Sequence, residues 1–280
     1  KLLKDNTTLF INNNKEFSNK NLIDKKKITL GYFSPDFCEH AVSNQLKQIL
    51  KLHDKKKFEI IGFYLNSKQD EKLSEIKNYF DKFFDINQMS TEDIIKLTEA
   101  QKVDIAIDLA GYTYANRYQI FNQRCAPIQV SYLGFAGSTG LNNMDYLIAD
   151  KTVIPNVSRK FYSENIIYMP NTFMPADDTQ KISEKNLKRK DFGIPNDAVI
   201  YCCFNKSYKI TPDIFDIWID IINEIENSIL WLNISNDQTK SNIINYAKKK
   251  NLDSNKILFT NRSKRYEDYL EKHSLADIFL

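Results

Sequence analysis

The feature that most restricts this chain is an alternation of short apolar runs with amphipathic stretches, and it occurs twice. The first series of apolar runs is Ile28 to Phe33, Phe58 to Tyr64, Val103 to Leu109, Ile128 to Leu133, Tyr146 to Ala149 and Ile166 to Met169. Each has the length and continuity of a strand buried on both faces. Between the early ones, Val42 to Leu52, Glu71 to Phe80 and Glu92 to Ala100 carry Leu, Ile and Phe at three- and four-residue spacing, the period of a helix. Residues 171–197 are charged and weakly periodic. The alternation then restarts, with strands expected over Val199 to Phe204, Ile229 to Ile234, Ile257 to Thr260 and Ile278 to Leu280. The matching helices are Pro212 to Ile225, Lys240 to Lys250 and Tyr266 to His273. Strand–helix alternation predicts a parallel sheet covered by helices, and doing it twice predicts two α/β domains with a break near residue 185. The expected division is a linker over residues 1–26, a first domain over 27–185 and a second over 186–280. Because the last expected strand stops at the last residue, the second domain reads as truncated, and the chain as a piece of a longer protein.

Composition narrows the class. At 280 residues the chain has room for two domains, and with 42% apolar residues it has enough for packed cores. Its 39 basic and 36 acidic side chains leave a net charge of +3, so no nucleic-acid partner is expected. No apolar run is long enough to span a bilayer, so no membrane partner is expected either. Cys38, Cys125, Cys202 and Cys203 form no C-x-x-C pair and no metal-ligand spacing, which suits reduced thiols in a cytoplasmic protein. Cys202 and Cys203 are expected on opposite faces of one strand. No metal site is expected.

Ligands of parallel sheets sit at the carboxyl ends of the strands, so the segments that follow strands matter most. Gly31–Tyr32–Phe33–Ser34–Pro35–Asp36–Phe37–Cys38–Glu39–His40 leaves a strand and enters a helix, which puts His40 where a general base could act. A surface histidine at a helix end is the alternative. Asp108–Leu109–Ala110–Gly111–Tyr112–Thr113 again sets Gly and polar side chains past a strand; Tyr112 could reach a ligand or cap the core. Leu133 to Gly140 holds three of the seven glycines, a turn whose backbone could approach a sugar or phosphate. Phe204–Asn205–Lys206–Ser207–Tyr208–Lys209 follows the first strand of the second domain. Lys209 there precedes Thr211–Pro212–Asp213, a helix opening with a hydroxyl cap, a proline and an acid. A cation beside a helix N-terminus suits a diphosphate; a solvated lysine is the alternative.

Taken as a set, these segments resemble glycosyltransferase family 41, the catalytic region of O-linked N-acetylglucosamine transferases and SPINDLY-like proteins. The stretches that carry the resemblance are GYFSPDFCEHAVSNQL (Gly31 to Leu46), VDIAIDLAGYTYANRYQIF (Val103 to Phe121), APIQVSYLGFAGSTGLNNMDYLIAD (Ala126 to Asp150), YSENIIYMPNTF (Tyr162 to Phe173), FGIPNDAVIYCCFNKSYKITPDIFDIW (Phe192 to Trp218) and NSILWL (Asn227 to Leu232). Their order and spacing match from about residue 27 to the end.

The resemblance implies an α/β fold of GT-B type, two Rossmann-like parallel-sheet domains with a nucleotide-sugar between them. It implies an inverting, metal-independent transfer of N-acetylglucosamine from a UDP-sugar to serine or threonine of an acceptor protein, with no cofactor beyond that donor. It also implies TPR repeats upstream in the parent chain. By position it gives His40, Tyr112 and Lys209 as catalytic candidates, with Lys209 stabilising the departing diphosphate. Leu133, Gly134, Thr113, Lys206 and Tyr208 follow as donor-binding candidates. Three departures accompany the match. Ala136 replaces a proline in the turn, Tyr269 falls where relatives often place a histidine near the uridine, and a D-x-x-P…N-G-H-T-T element lies past Leu280. Two other readings stay open: transfer of a hexose to asparagine on the same fold, and a non-catalytic binding fragment.

Overall fold

The computed structural model describes residues 26–280, so the linker expected over 1–26 lies, Lys26 apart, outside the described residues. The chain divides into two compact units, one ending at Thr179 and the other running from Gln180 to Leu280.

The first unit is built on seven strands: β1 (Ile28–Ser34), β2 (Phe58–Tyr64), β3 (Lys82–Asp85), β4 (Ile105–Asp108), β5 (Ile128–Ser131), β6 (Tyr146–Ala149) and β7 (Asn165–Tyr168). They pair in the order β3-β2-β1-β4-β5-β6-β7, every pair parallel. Its helices are α1 (Ala41–Leu52), α2 (Glu71–Lys77), α3 (Thr91–Ala100) and α4 (Tyr118–Asn122). Alternation along β1 sends Leu30 and Tyr32 to one face, where they pack with Val42, Leu46 and Leu50 of α1 and Leu73 and Ile76 of α2. Phe33 goes to the other face, against Ile94 and Ile95 of α3 and Ile120 and Phe121 of α4. The two faces are therefore closed by separate helix layers, as a parallel sheet requires.

The second unit repeats the plan with β8 (Val199–Cys203), α5 (Pro212–Glu224), β9 (Ser228–Asn233), α6 (Asp237–Lys249), β10 (Ile257–Thr260), α7 (Tyr266–His273) and β11 (Ile278–Phe279). The order is β10-β9-β8-β11, again all parallel. Cys203 packs with Phe215, Trp218 and Ile222 of α5, while Cys202 packs with Trp231 and Phe204 on the opposite face, as the alternation of a strand demands. All four cysteines are buried and unpaired.

The strand orders fix where ligands can enter. In the first sheet the chain winds outward from β1 through β2 to β3, then returns to β4 on the other side, so the reversal lies between β1 and β4. In the second sheet it lies between β8 and β11. Such reversals open a crevice at the carboxyl ends of the two flanking strands.

Two elements were not expected from the sequence. β3 is a four-residue edge strand whose Lys82 and Asp85 are exposed, so it has no apolar run to announce it. α4 has five residues, too few to establish a helical period. Some boundaries also move. α2 ends at Lys77, and Phe80 beyond it turns into the core. Helix α3 begins at Thr91, one residue ahead of the expected Glu92, and Ser90 caps it by accepting from Asp93 N at 3.1 Å. Thr211 precedes α5 with no side-chain cap hydrogen bond, so the hydroxyl cap expected there does not form, whereas Pro212 does occupy the first turn.

Candidate functional site

In the first unit three loops leave adjacent parallel strands, β1, β4 and β5, on the same edge of the sheet. The loop after β1 is tied down by its own backbone. Asp36 N donates to Ser34 Oγ at 2.9 Å, Ser43 Oγ donates to Asp36 O at 2.5 Å, and Glu39 N donates to Asp70 Oδ2 at 2.9 Å. It delivers His40 to the N-cap of α1, where Nδ1 accepts from Val42 N at 3.3 Å. The Asp36 carboxylate lies 3.6 Å from the same nitrogen; the Asp36 side chain is 16% exposed and that of His40 48%. Burial pushes the Asp36 carboxyl up, and the neighbouring imidazole pulls it back.

The loop after β4 is organised by Asp108. This carboxylate is 3% exposed and accepts from Ala110 N at 2.9 Å and Gly111 N at 3.1 Å. Burial pushes it up to about 6, against the pull of those two N–H groups. Gly111 sits at φ +55°, and a Cβ there would come within 2.5 Å of Phe135 Cβ, so glycine is required twice over. Thr113 Oγ1 donates to Ala110 O at 2.8 Å. Tyr112 turns its hydroxyl onto Thr139 O at 2.5 Å and sets its ring edge-on to Phe135 at 5.8 Å. Burial raises the Tyr112 phenol.

The glycine-rich turn after β5 is thereby joined to the loop before it. A side chain at Gly134 would drive its Cβ into the carbonyl oxygen of Leu109. The need for glycine here comes from the protein's own backbone rather than from a ligand. Leu133, buried beside it, holds φ +69°, a conformation few non-glycine residues adopt. Glu164, also buried, fastens the far side by accepting from Thr139 N at 2.6 Å, Thr139 Oγ1 at 2.5 Å and Ser138 Oγ at 2.8 Å. The structure thus brings Tyr112, Thr113, Leu133 and Gly134 into one corner. It sets His40 at the end of the next strand, across the point where the strand order reverses.

In the second unit, Ser207–Lys209 forms a single 3-10 turn just past β8, with Lys209 N donating to Lys206 O at 3.0 Å. Lys206 and Lys209 are exposed and Tyr208 is 75% exposed. Among the described residues no carboxylate pairs with either ammonium. Lys209 thus stands at the strand-order reversal of its sheet, two residues ahead of the N-cap of α5. An apolar cavity of about 220 Å³ lies beside this turn, walled by Ile210, Pro212, Phe215, Ile243 and Tyr246.

A second cavity, about 330 Å³, opens at the carboxyl end of β10, where Thr260, Asn261, Phe192, Asp268 and Lys272 meet. Lys272 is 5% exposed. Its ammonium donates to Asn261 O at 2.9 Å and Thr260 Oγ1 at 3.2 Å and lies 5.8 Å from the Phe192 ring centroid. Burial lowers its pKa, with Asp268 acting against that shift. Tyr269, on the same helix, packs against Phe204 and His273.

Sequence reasoning did not single out Asp108, Glu164 or Lys272. Asp108 carried a usable signal, an acid at a strand end three residues before a loop glycine. Lys272 carried none, because a lysine on an amphipathic helix looks the same whether its head is in water or in the fold. Among the described residues no three His, Cys, Asp or Glu side chains gather as a metal site, and no helix is long and apolar enough to cross a membrane.

The model of Glycosyl transferase family 41 matches residues 1–189 and 181–280. The chain belongs to glycosyl transferase family 41. Over 261 residues it is 33% identical to the probable UDP-N-acetylglucosamine–peptide N-acetylglucosaminyltransferase SEC of Arabidopsis thaliana, covering 91% of this chain and 27% of that protein. Over 271 residues it is 27% identical to the probable enzyme of the same description named SPINDLY, also from Arabidopsis thaliana, covering 93% and 29%. The chain therefore spans less than a third of these family 41 relatives. Among solved structures, a Thermobaculum terrenum O-GlcNAc transferase mutant superposes with a TM-score of 0.80 at 21% identity, covering 91% of this chain and 48% of that one. Anabaena Alr3699/HepE in complex with UDP and glucose gives 0.56 at 10% identity, covering 90% and 73%. These likenesses establish the GT-B type of fold, two Rossmann-like parallel-sheet units, that the family resemblance implied.

Proposed function

We propose that the protein containing this chain is a cytoplasmic glycosyltransferase that moves N-acetylglucosamine from a UDP-sugar to serine or threonine of acceptor proteins, with inversion and without a metal. The observation that carries this reading is Lys209, an ammonium with no carboxylate partner among the described residues, at a strand-order reversal and beside a helix N-terminus. Attack by the acceptor oxygen on the anomeric carbon forms one C–O bond and breaks another. The breaking pair goes to the β-phosphate oxygen, and a single displacement inverts the centre. Lys209 and the N–H groups of the first α5 turn meet the charge that develops there. The acceptor's proton passes to the imidazole of His40. The rigid corner of Tyr112, Thr113, Leu133 and Gly134 supplies a wall for the sugar. The cavity around Lys272 suits a flat hydrogen-bonding ring such as the donor's base, with Phe192 as its apolar wall. Lys206 and Tyr208 flank the diphosphate.

The test is Lys209→Ala in the full-length protein, incubated with several UDP-sugars and read by intact mass of an acceptor protein. Transfer is expected to fall by about 10²- to 10³-fold with the fold intact. Near-normal turnover would end the assignment. A mass increment other than that of an N-acetylhexosamine would transfer the reading to another sugar.

A further inference from the structure

The imidazole of His40 is claimed by two groups at one atom. Nδ1 accepts the Val42 N–H at 3.3 Å, which requires a lone pair on Nδ1 and puts the neutral ring's proton on Nε2. Asp36 Oδ2 approaches the same Nδ1 at 3.6 Å, an approach that becomes a hydrogen bond only if Nδ1 carries the proton. One nitrogen cannot do both. In the first arrangement Nε2 is a donor and cannot take a proton. In the second, Nε2 presents a lone pair while Nδ1–H is held from behind.

The loop is built so that the carboxylate can make the exchange. The backbone N–H and C=O of Asp36 are both fixed, by Ser34 and Ser43. Among the described residues, the imidazole of His40 is the one basic side chain within ion-pair distance of its carboxylate, at 3.6 Å. Burial makes an unpartnered carboxylate costly there, so a proton on Nδ1 satisfies Asp36 at the expense of one helix-cap bond. The neighbouring acid Asp70 is otherwise engaged. The Glu39 N–H is bound by Asp70, and Asp70 is paired with Lys68 at 3.0 Å.

We propose that Asp36 is a positioning residue that selects the Nδ1–H tautomer of His40, drawing the ring from its capping role and turning an Nε2 lone pair outward to receive the acceptor's proton. This rests on the reading of His40 as the proton acceptor. In the transfer step the hydroxyl proton goes to Nε2, and the imidazolium that results is held at Nδ1 by the carboxylate; no further reactant is needed.

The experiment has a spectroscopic arm and a kinetic arm. Histidine-selective ¹⁵N labelling of the 280-residue chain, with His40→Gln to assign the signal, reads the tautomer of the neutral ring directly. The wild-type chain is expected to show Nδ1–H as the main form, and Asp36→Asn to shift the ring to Nε2–H. A wild-type ring held wholly as Nε2–H overturns the proposal, whether or not the variant folds. In the full-length protein Asp36→Asn is expected to lower kcat at least tenfold with the donor KM unchanged, and Asp36→Glu to recover part of the loss. A fall in kcat without a change of tautomer assigns Asp36 a structural role only and also overturns it. If the tautomer shifts as expected while His40→Ala retains turnover, the reading of His40 as base fails and the tautomer selection stands.

Discussion

Asp108 shows how a single buried group can shape the pH response of the first unit. Its carboxyl rises from the ordinary 3.8 to about 6, so the folded chain holds this proton more tightly than the unfolded chain does. Its contribution to stability is complete below about pH 4 and is lost as pH climbs through about 6. Asp108→Asn keeps an acceptor for the loop N–H groups and removes the titration. The variant is expected to lose less stability than the wild type between pH 4 and pH 7 in urea unfolding; an identical loss would show that Asp108 is not the group responsible. Gly134 is a second single-residue constraint. A methyl there meets main chain that cannot rotate away, so Gly134→Ala should cost about 1–3 kcal/mol or more, read as a lowered unfolding midpoint at unchanged m-value.

At the scale of elements, loops rather than strands carry the candidate groups, and a few buried polar side chains hold those loops still. Glu164, at the entry to β7, fastens the turn after β5 across 25 residues of sequence. Glu164→Ala leaves the Thr139 N–H and hydroxyl without their acceptor, at a cost on the order of 2–3 kcal/mol. Amide exchange at Ser138, Thr139 and Gly140 is expected to quicken at least tenfold; unchanged protection would mean that Tyr112 alone secures the turn. This scale also shows what could be read from the chain beforehand. The long apolar runs of β1, β2, β8 and β9 and the periodic helices α1, α3, α5 and α6 were legible because burial on both faces, or along one stripe, leaves a pattern. β3 and α4 were not, being too short and too exposed. The residues of the His40, Tyr112 and Lys209 loops were legible from their place after strands. Their contacts were not, because the partner of the Tyr112 hydroxyl is a backbone carbonyl 27 residues away, and any residue type supplies one.

At the scale of the whole molecule, the two units are separately cored and can be followed by different signals. Both tryptophans, Trp218 and Trp231, lie in the second unit, so tryptophan emission reports its unfolding. Leu230→Ala, fully buried in that core, should shift the emission transition by about 2–5 kcal/mol. Leu46→Ala, equally buried in the first unit, should shift the far-ultraviolet ellipticity transition by a similar amount. An emission transition insensitive to Leu230→Ala would mean that the tryptophans do not sense their own core.

The neighbours Leu133 and Gly134 answer to different masters. Glycine at 134 is demanded by a carbonyl of the same chain, so a descendant that had lost every trace of catalysis would still keep it in order to fold. Leucine at 133 occupies a backbone conformation that glycine or asparagine would adopt with less strain, but its side chain is buried in the core of the first unit, so packing is what keeps a large apolar residue there. Both neighbours are therefore kept by folding, one through main chain and the other through its side chain, and the persistence of either in a descendant would say nothing about chemistry.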